Sequence, residues 1–129
     1  MTDNISISLQ ESGQSEVSEI RVDGVIDTLT AGDLEEVIDS LLKRERYNLI
    51  VDLAGVDYIS SAGWGIFISH IKEVRANGGD IKLANMISNV HEIYELLEFD
   101  NVLAVYPSVD EARDSFGARL PDQKKKSKD

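Results

Sequence analysis

Hydrophobic positions recur along the chain at two spacings, one typical of strands and the other of helices. Residues 5–9 (ISISL) and 17–26 (VSEIRVDGVI) place apolar side chains at every second position, which predicts two half-buried strands. The polar stretch ESGQSE between them predicts the turn of a β-hairpin. Apolar residues then recur at three and four positions through residues 28–46, which predicts an amphipathic helix, with Thr30 and Asp33 as an approximate capping box at its start.

The second half of the chain alternates short apolar runs with helical stripes. A near-continuous apolar run at residues 47–53 is typical of a strand buried on both faces. The elements predicted after it are a helix at 62–76, a strand at 81–85, a helix that opens at Ser88, a strand at 102–106 and a helix that Ser108 and Glu111 begin with a capping box. The expected inner stripes are Trp64, Phe67, Ile68, Ile71 and Val74 in the first of these helices, and Val90, Ile93, Tyr94 and Leu97 in the second.

The resulting order, β-β-α-β-α-β-α-β-α, predicts an α/β fold with a mixed, mostly parallel sheet covered by helices. A length of 129 residues, of which 42% are hydrophobic, suits a single domain of this kind. We expect the domain to occupy residues 1–118, followed by a polar, lysine-rich tail at residues 119–129.

The amino-acid composition excludes several kinds of chemistry and indicates where in the cell the protein is expected. The chain has no cysteine, which excludes disulfides, thiolate chemistry and cysteine-ligated metals. No stretch approaches the roughly 18 apolar residues of a spanning helix, and the first ten residues lack the basic and apolar segments of a secretory signal. We therefore expect a cytoplasmic protein without membrane insertion. His70 and His91 lack metal-ligand spacing, and no nucleotide-binding motif is present, so neither a metal nor a cofactor is expected.

The net charge of −11 is unevenly distributed. The first 120 residues hold nine basic and 22 acidic side chains, whereas the last nine hold four lysines and two aspartates. A body this acidic is repelled by phosphate backbones, which argues against a nucleic-acid ligand. The expected partner is a protein with a basic or mixed surface.

The stretch DYISSAGWGIFIS, residues 57–69, places two serines between a predicted strand and a predicted helix. Helix starts carry unpaired N–H groups and partial positive charge, which stabilise a phosphate. Either Ser60 or Ser61 can serve as the N-cap, a structural role worth about 1 kcal/mol. A plain cap needs no second serine, and the two nearby glycines, Gly63 and Gly65, each cost roughly 1 kcal/mol relative to alanine in a first helical turn. The pattern indicates an accessible hydroxyl on a surface of low relief.

Three motifs together resemble the STAS domain family of bacterial anti-sigma-factor antagonists. They are IVDLAGVDYISSAGWGIFI, the upstream VDGVIDTLTAGDLEEVI and the strand segment GGDIKLANM. The resemblance extends from about Ile5 to Phe116, and the order of elements in that family is the same as the order predicted above.

The resemblance implies phosphorylation of one serine by a partner serine kinase that is also the anti-sigma factor, with a serine phosphatase reversing the reaction. Alignment on Gly63 assigns the acceptor position to Ser61, with Ser60 as a lesser candidate. Ser60 stands where the family has an aspartate, and Ala62 stands where it has a second hydroxyl. Asp27 matches an acidic residue near the family's site, and a cap or turn at the first helix is the alternative role.

Two functions remain open. The first is a partner-switching antagonist that binds the kinase when unphosphorylated and is released by phosphorylation at Ser61. The second is a non-switching scaffold or transporter-associated STAS subunit, in which both serines are plain helix caps. An enzyme is not expected, because no G-x-S-x-G elbow or motif-placed histidine would activate either serine. The expected contact surface of the antagonist comprises Asp27, Asp57, Ser60, Ser61, Gly63 and Trp64, of which Trp64 is either a partner anchor or a core residue.

Overall fold

The computed structural model describes residues 5–11 and 16–117 and contains the predicted order of five strands and four helices. The predicted tail at residues 119–129 lies outside the described residues. Within them, no helix has both the length and the apolar character that crossing a bilayer requires. The elements are β1 (Ile5–Glu11), β2 (Val17–Ile26), α1 (Ala31–Lys43), β3 (Asn48–Ile59), α2 (Ser61–Ala76), β4 (Asp80–Ala84), α3 (Ser88–Leu96), a short 3-10 turn (Phe99–Asn101), β5 (Ala104–Tyr106) and α4 (Val109–Gly117).

The five strands form one mixed sheet in the order β1-β2-β3-β4-β5. β1 and β2 pair antiparallel and every later pair is parallel, as predicted, while residues 12–15 of the predicted hairpin turn lie outside the described residues. Each parallel crossover moves to the adjacent strand in the same direction, so the three crossover helices lie on the same face of the sheet. Buried residues of α1, α2 and α3 share the main core with the sheet, and α4 packs on a second core through Ala112 and Phe116.

The third strand is longer than its apolar run predicted, because it continues from residue 53 to Ile59. Its first five residues pair with β4, whereas its second half pairs with β2 alone and extends past the end of β4. Irregularities in the β2 pairing shift the register twice, and Gly24 takes a positive φ of 119° between them. As a result Leu53, Val56 and Ile59 are buried at a spacing of three, which breaks the alternation that identifies a strand in sequence.

The predicted capping box at α1 is wrong. Thr30 occupies the N-cap position, but its side chain makes no cap hydrogen bond and is buried. Its hydroxyl donates to the carbonyl of Val25 at 2.6 Å and accepts from the N–H of Asp27 at 2.9 Å. The carboxylate of Asp27 instead accepts from the N–H groups of Leu29 and Thr30 at 2.9 and 3.1 Å. The turn into α1 is thus held by an aspartate, as Asx turns are.

The buried residues of α3 and α2 also differ from those that the sequence predicted. In α3, Val90 and Tyr94 are buried, but Ile93 is 41% exposed and Leu97 is 48% exposed. This nine-residue helix contacts the central strand β3 and the 3-10 turn, and only a narrow stripe of it is covered. In α2, Ile68 is only half-buried, while the polar His70 is buried.

Candidate functional site

The start of α2 separates the two serines into different roles. Ser60 is the N-cap, with φ −80° and ψ 173°, and its hydroxyl oxygen accepts from the N–H of Gly63 at 3.3 Å. The N–H of Ser60 donates to the carbonyl of Ile26 at 2.8 Å, which joins the helix start to the end of β2. The open choice of N-cap is therefore resolved in favour of Ser60.

Ser61 is the first residue of α2 and is exposed. Its hydroxyl makes no hydrogen bond to any residue that the structure describes. The position lies among the first N–H groups of a 16-residue helix, where partial positive charge accumulates. Of the two serines, Ser61 is the one whose hydroxyl is free to react or to contact a partner.

The two glycines of the motif face opposite environments. A Cβ on Gly63 would lie 2.6 Å from a methyl group of Ile26 and 2.7 Å from one of Ile59, so the helix approaches the strand ends too closely for a side chain. A Cβ on Gly65 would meet nothing within 4 Å. Gly65 follows Ser61 by one turn and is exposed with it, so a low-relief surface surrounds the Ser61 hydroxyl.

The loop after β2 lies at the same edge of the sheet as the α2 start, because Ile26 pairs with Ile59 immediately before Ser60. Asp27 follows Ile26 directly and is half-buried. Its carboxylate is engaged by the two loop N–H groups described above, which supports the turn alternative for this residue. Leu29, two residues further on, is 72% exposed.

Trp64 is a core residue, the second of the two roles predicted for it. It is only 2% exposed, and its ring contacts those of Phe67, Tyr94 and Phe99 at centroid distances of 6.3, 6.3 and 5.2 Å. Its indole N–H is buried and finds no hydrogen-bond acceptor among the described residues. The burial follows from the inner position of Trp64 on α2, beside Gly63 and one turn before Phe67.

A surface groove that the sequence did not predict adjoins this turn. It has a volume of about 330 Å³ and lies between the end of β3, the first turn of α2 and α3. Tyr58 and Ile93 contribute exposed apolar surface, at 55% and 41% exposure, and Asp57 and Glu92 contribute carboxylates. Trp64 also lines it. The exposed aromatic at position 58, between Asp57 and the buried Ile59, is the one sequence signal that could have indicated it.

Three further polar residues, Asp52, His91 and Tyr94, have structural contacts. The carboxylate of Asp52 accepts from the N–H of Ala54 and the amide of Asn85, both at 3.1 Å, and lies 3.5 Å from Arg21. His91 lies 3.8 Å from Glu95 on the same helix and packs beside Tyr94. The hydroxyl of Tyr94 donates to the carbonyl of Leu103 at 2.6 Å, and burial, followed by the nearby carboxylates, raises its pKa.

Comparison with known proteins agrees with this architecture. The family model of the STAS domain matches residues 8–112. BtrV of Bordetella bronchiseptica, provisionally named an anti-sigma factor antagonist, is 29% identical over 98 residues, which are 76% of this chain and 84% of BtrV.

Two solved structures have the same fold. An anti-sigma factor antagonist from Mycobacterium paratuberculosis aligns with a TM-score of 0.79 at 23% identity, over 89% of this chain and 96% of that one. The Bacillus cell fate determinant SpoIIAA in its phosphorylated form aligns with a TM-score of 0.65 at 18% identity, over 86% of this chain and 99% of that one. Because the family model spans most of the chain, the protein belongs to the STAS domain family.

Proposed function

We propose that this protein is an anti-sigma-factor antagonist that binds an anti-sigma serine kinase when Ser61 is unmodified and is released when Ser61 is phosphorylated. The observation that supports the proposal is that the two serines make different contacts. Ser60 takes the structural cap, while Ser61 presents an exposed, unbonded hydroxyl at the first position of α2. The names of BtrV and of the mycobacterial structure, and the phosphorylated state of SpoIIAA, support the same function.

A phosphate at Ser61 would change the contact surface more than it changes the fold. It adds about −1.5 to −2 charges and three acceptor oxygens, and a helix N-terminus stabilises such a group. The surrounding surface has low relief at Ala62 and Gly65, so a docked partner would lie close to the modified side chain. Burying a doubly charged group in that contact without a matched cation is costly, and release follows.

The groove beside α2 supplies the remainder of the proposed contact surface. Its exposed apolar residues, Tyr58 and Ile93, would bury apolar area against the partner, and its carboxylates, Asp57 and Glu92, favour basic side chains. The proposed partner therefore presents an apolar segment with lysine or arginine paired to these two carboxylates, which leaves no cation matched to a phosphate at Ser61.

The non-switching alternative assigned a structural cap to both serines. Only Ser60 makes a side-chain cap hydrogen bond, so that alternative accounts for Ser60 and leaves the hydroxyl of Ser61 without a role. The same geometry argues against Ser60 as the acceptor, because phosphorylation there would remove the cap and place the phosphate at a half-buried position.

The proposal is tested with the cognate kinase. The full chain is incubated with ATP and the candidate anti-sigma kinase, and intact mass and peptide mapping locate any phosphate. We expect one phosphate at Ser61, none in Ser61→Ala, and full incorporation in the control Ser69→Ala, which changes another exposed serine of α2. A serine phosphatase should restore the original mass. Kinase binding as tight in Ser61→Asp as in the wild type would contradict the release step.

A further inference from the structure

A cluster of three ligand-type side chains joins α1 to α2 away from the proposed contact surface. His70 of α2 is buried, at 9% exposure, while Glu35 and Asp39 are partly exposed on α1. The two carboxylates are four residues apart, so they lie on one face of α1. One donor atom from each of the three residues lies within 4.8 Å of the other two.

The hydrogen bonds of His70 define which ring nitrogen carries a proton. Its Nδ1 lies 2.8 Å from the carbonyl oxygen of Ile66, which can only accept, so Nδ1 is the donor. The Ser69 hydroxyl, 3.2 Å from the same nitrogen, also donates to the Ile66 carbonyl. In the neutral ring, therefore, Nε2 carries a lone pair and no proton.

That lone pair faces two carboxylates. Nε2 lies 3.0 Å from Asp39 Oδ1 and 3.7 Å from Glu35 Oε2, and carboxylate oxygens also accept. Three acceptors directed at one another repel unless a positive centre lies among them. Neither Glu35 nor Asp39 forms an ion pair with a lysine or arginine among the described residues, so the centre is either a proton on Nε2 or a bound metal ion.

We propose that Glu35, Asp39 and His70 form a binding site for a divalent late transition-metal ion of the Zn²⁺, Co²⁺ or Ni²⁺ class. One imidazole nitrogen and two carboxylate oxygens are a ligand set that such ions accept, and imidazole favours them over Mg²⁺. Metal bonds of about 2.0–2.2 Å place neighbouring ligands of a tetrahedral site roughly 3.3–3.6 Å apart. The observed separations of 3.0 and 3.7 Å bracket that distance.

Two further features suit a metal site. The Nδ1–H···O=C bond to Ile66 is the kind of contact that holds a ligating histidine in the correct tautomer and orientation. The partial exposure of both carboxylates leaves an entry path and room for water as a remaining ligand. Because its ligands come from two helices, the ion would clamp α1 to α2.

The site is independent of the proposed function. His70 follows Ser61 by nine residues, or about 13 Å along the helix, and it does not line the groove. Metal binding can therefore be measured without the kinase, and a failure of either proposal leaves the other untouched.

The test uses the full chain stripped with a chelator and titrated with ZnCl₂ and CoCl₂. We expect one equivalent to bind with a rise in Tm, and Co²⁺ to give the visible absorption of a low-coordinate site, with excess Mg²⁺ not competing. Metal binding should weaken at least about tenfold in each of Glu35→Gln, Asp39→Asn and His70→Gln. Changing an outer-shell partner of a metal ligand already weakens binding by roughly this factor, so removal of a ligand should cost no less. The control variant His91→Gln should bind the metal as tightly as the wild type does, because His91 lies near one carboxylate, that of Glu95, and is not part of the cluster.

Two results would overturn the metal site. The first is the absence of saturable one-to-one binding in the wild type, which leaves the cluster as a protonated histidine ion pair. The second is binding that survives in Glu35→Gln and Asp39→Asn. These two variants change partly exposed side chains and should fold, so a loss of structure in His70→Gln does not compromise the test.

Discussion

The first turn of α2 has two faces that share a sequence motif but differ in what they contact. On the inner face, Gly63 and Trp64 are buried against the ends of β2 and β3 and the rings of the core. On the outer face, Ser61 and Gly65 meet open space. Neighbouring residues of one motif therefore have different roles. The inner residues hold the helix in place, and the outer residues remain available for binding and modification.

The largest expected effect is on the inner face. Trp64→Ala should lower the free energy of unfolding by about 3–5 kcal/mol, because it removes a nearly fully buried ring that contacts three other aromatics. Urea denaturation followed by circular dichroism measures this change. Ser61→Ala on the outer face should stay within about 0.5 kcal/mol of the wild type. Equal losses in the two variants would contradict the distinction between the faces.

The glycines provide a matched pair. Gly63→Ala should destabilise the fold by about 1–3 kcal/mol, because its Cβ would overlap methyl groups of Ile26 and Ile59. Gly65→Ala should stabilise it by up to about 1 kcal/mol, because alanine favours the helix and its Cβ enters open space. Thermal unfolding of both variants gives the two signs. A stabilising Gly63→Ala would mean that the helix start does not approach the strands as closely as the structure has it.

Substitutions at the two serines should change the free energy of unfolding by smaller amounts. Ser60→Ala should cost about 1 kcal/mol, because it leaves the N–H of Gly63 without its side-chain acceptor. Ser60→Asp should recover much of that loss, since aspartate is also a good N-cap. The free energy of unfolding from urea titrations measures both changes. If Ser61→Ala were the costlier of the two alanine substitutions, the assignment of the cap to Ser60 would be wrong.

The smallest effect concerns an exposed ion pair far from this motif. The hydrogen bond from Arg44 holds the pKa of the Glu11 carboxyl below its usual value of 4.5. A carboxyl group whose pKa is lower in the folded state than in the unfolded state stabilises the protein at pH values above the unfolded-state pKa. This contribution is lost as the pH falls through the folded-state pKa. We expect the stability difference between the wild type and Glu11→Gln to shrink from neutral pH to about pH 3. The exposed Glu36→Gln is the control. A difference that grows on acidification would contradict the pairing.

Local periodicity was sufficient for the order of elements. The two strands of the hairpin, the first helix and the start of α2 were all predicted, because each shows the strand or helix spacing within its own residues. The serine cap of α4 was also predicted correctly, with the N–H of Glu111 donating to the Ser108 hydroxyl at 3.1 Å. The hydroxyl pair at the start of α2 followed from the same local pattern.

Features that depend on neighbouring elements were missed or mistaken. The second half of β3 loses its alternation at the irregular pairing with β2, so its length was underestimated. Ile93 and Leu97 were predicted as inner residues, because periodicity shows which positions of α3 are apolar but not how wide a stripe its neighbours cover. Thr30 was predicted to cap α1, but its hydroxyl oxygen accepts from the N–H of Asp27 and its hydroxyl donates to the carbonyl of Val25.

The amino-acid pattern alone was enough to establish an acidic α/β domain with a pair of serines at a helix start, because residue spacing and composition are local properties. Three decisions required the folded chain: that Ser60 rather than Ser61 is the cap, that a groove lies beside the motif, and that Glu35, Asp39 and His70 converge. The groove and the cluster depend on residues brought together from different elements, and the position of the cap depends on where the pairing of β3 with β2 ends. Such contacts arise from packing geometry, which the order of residues does not display.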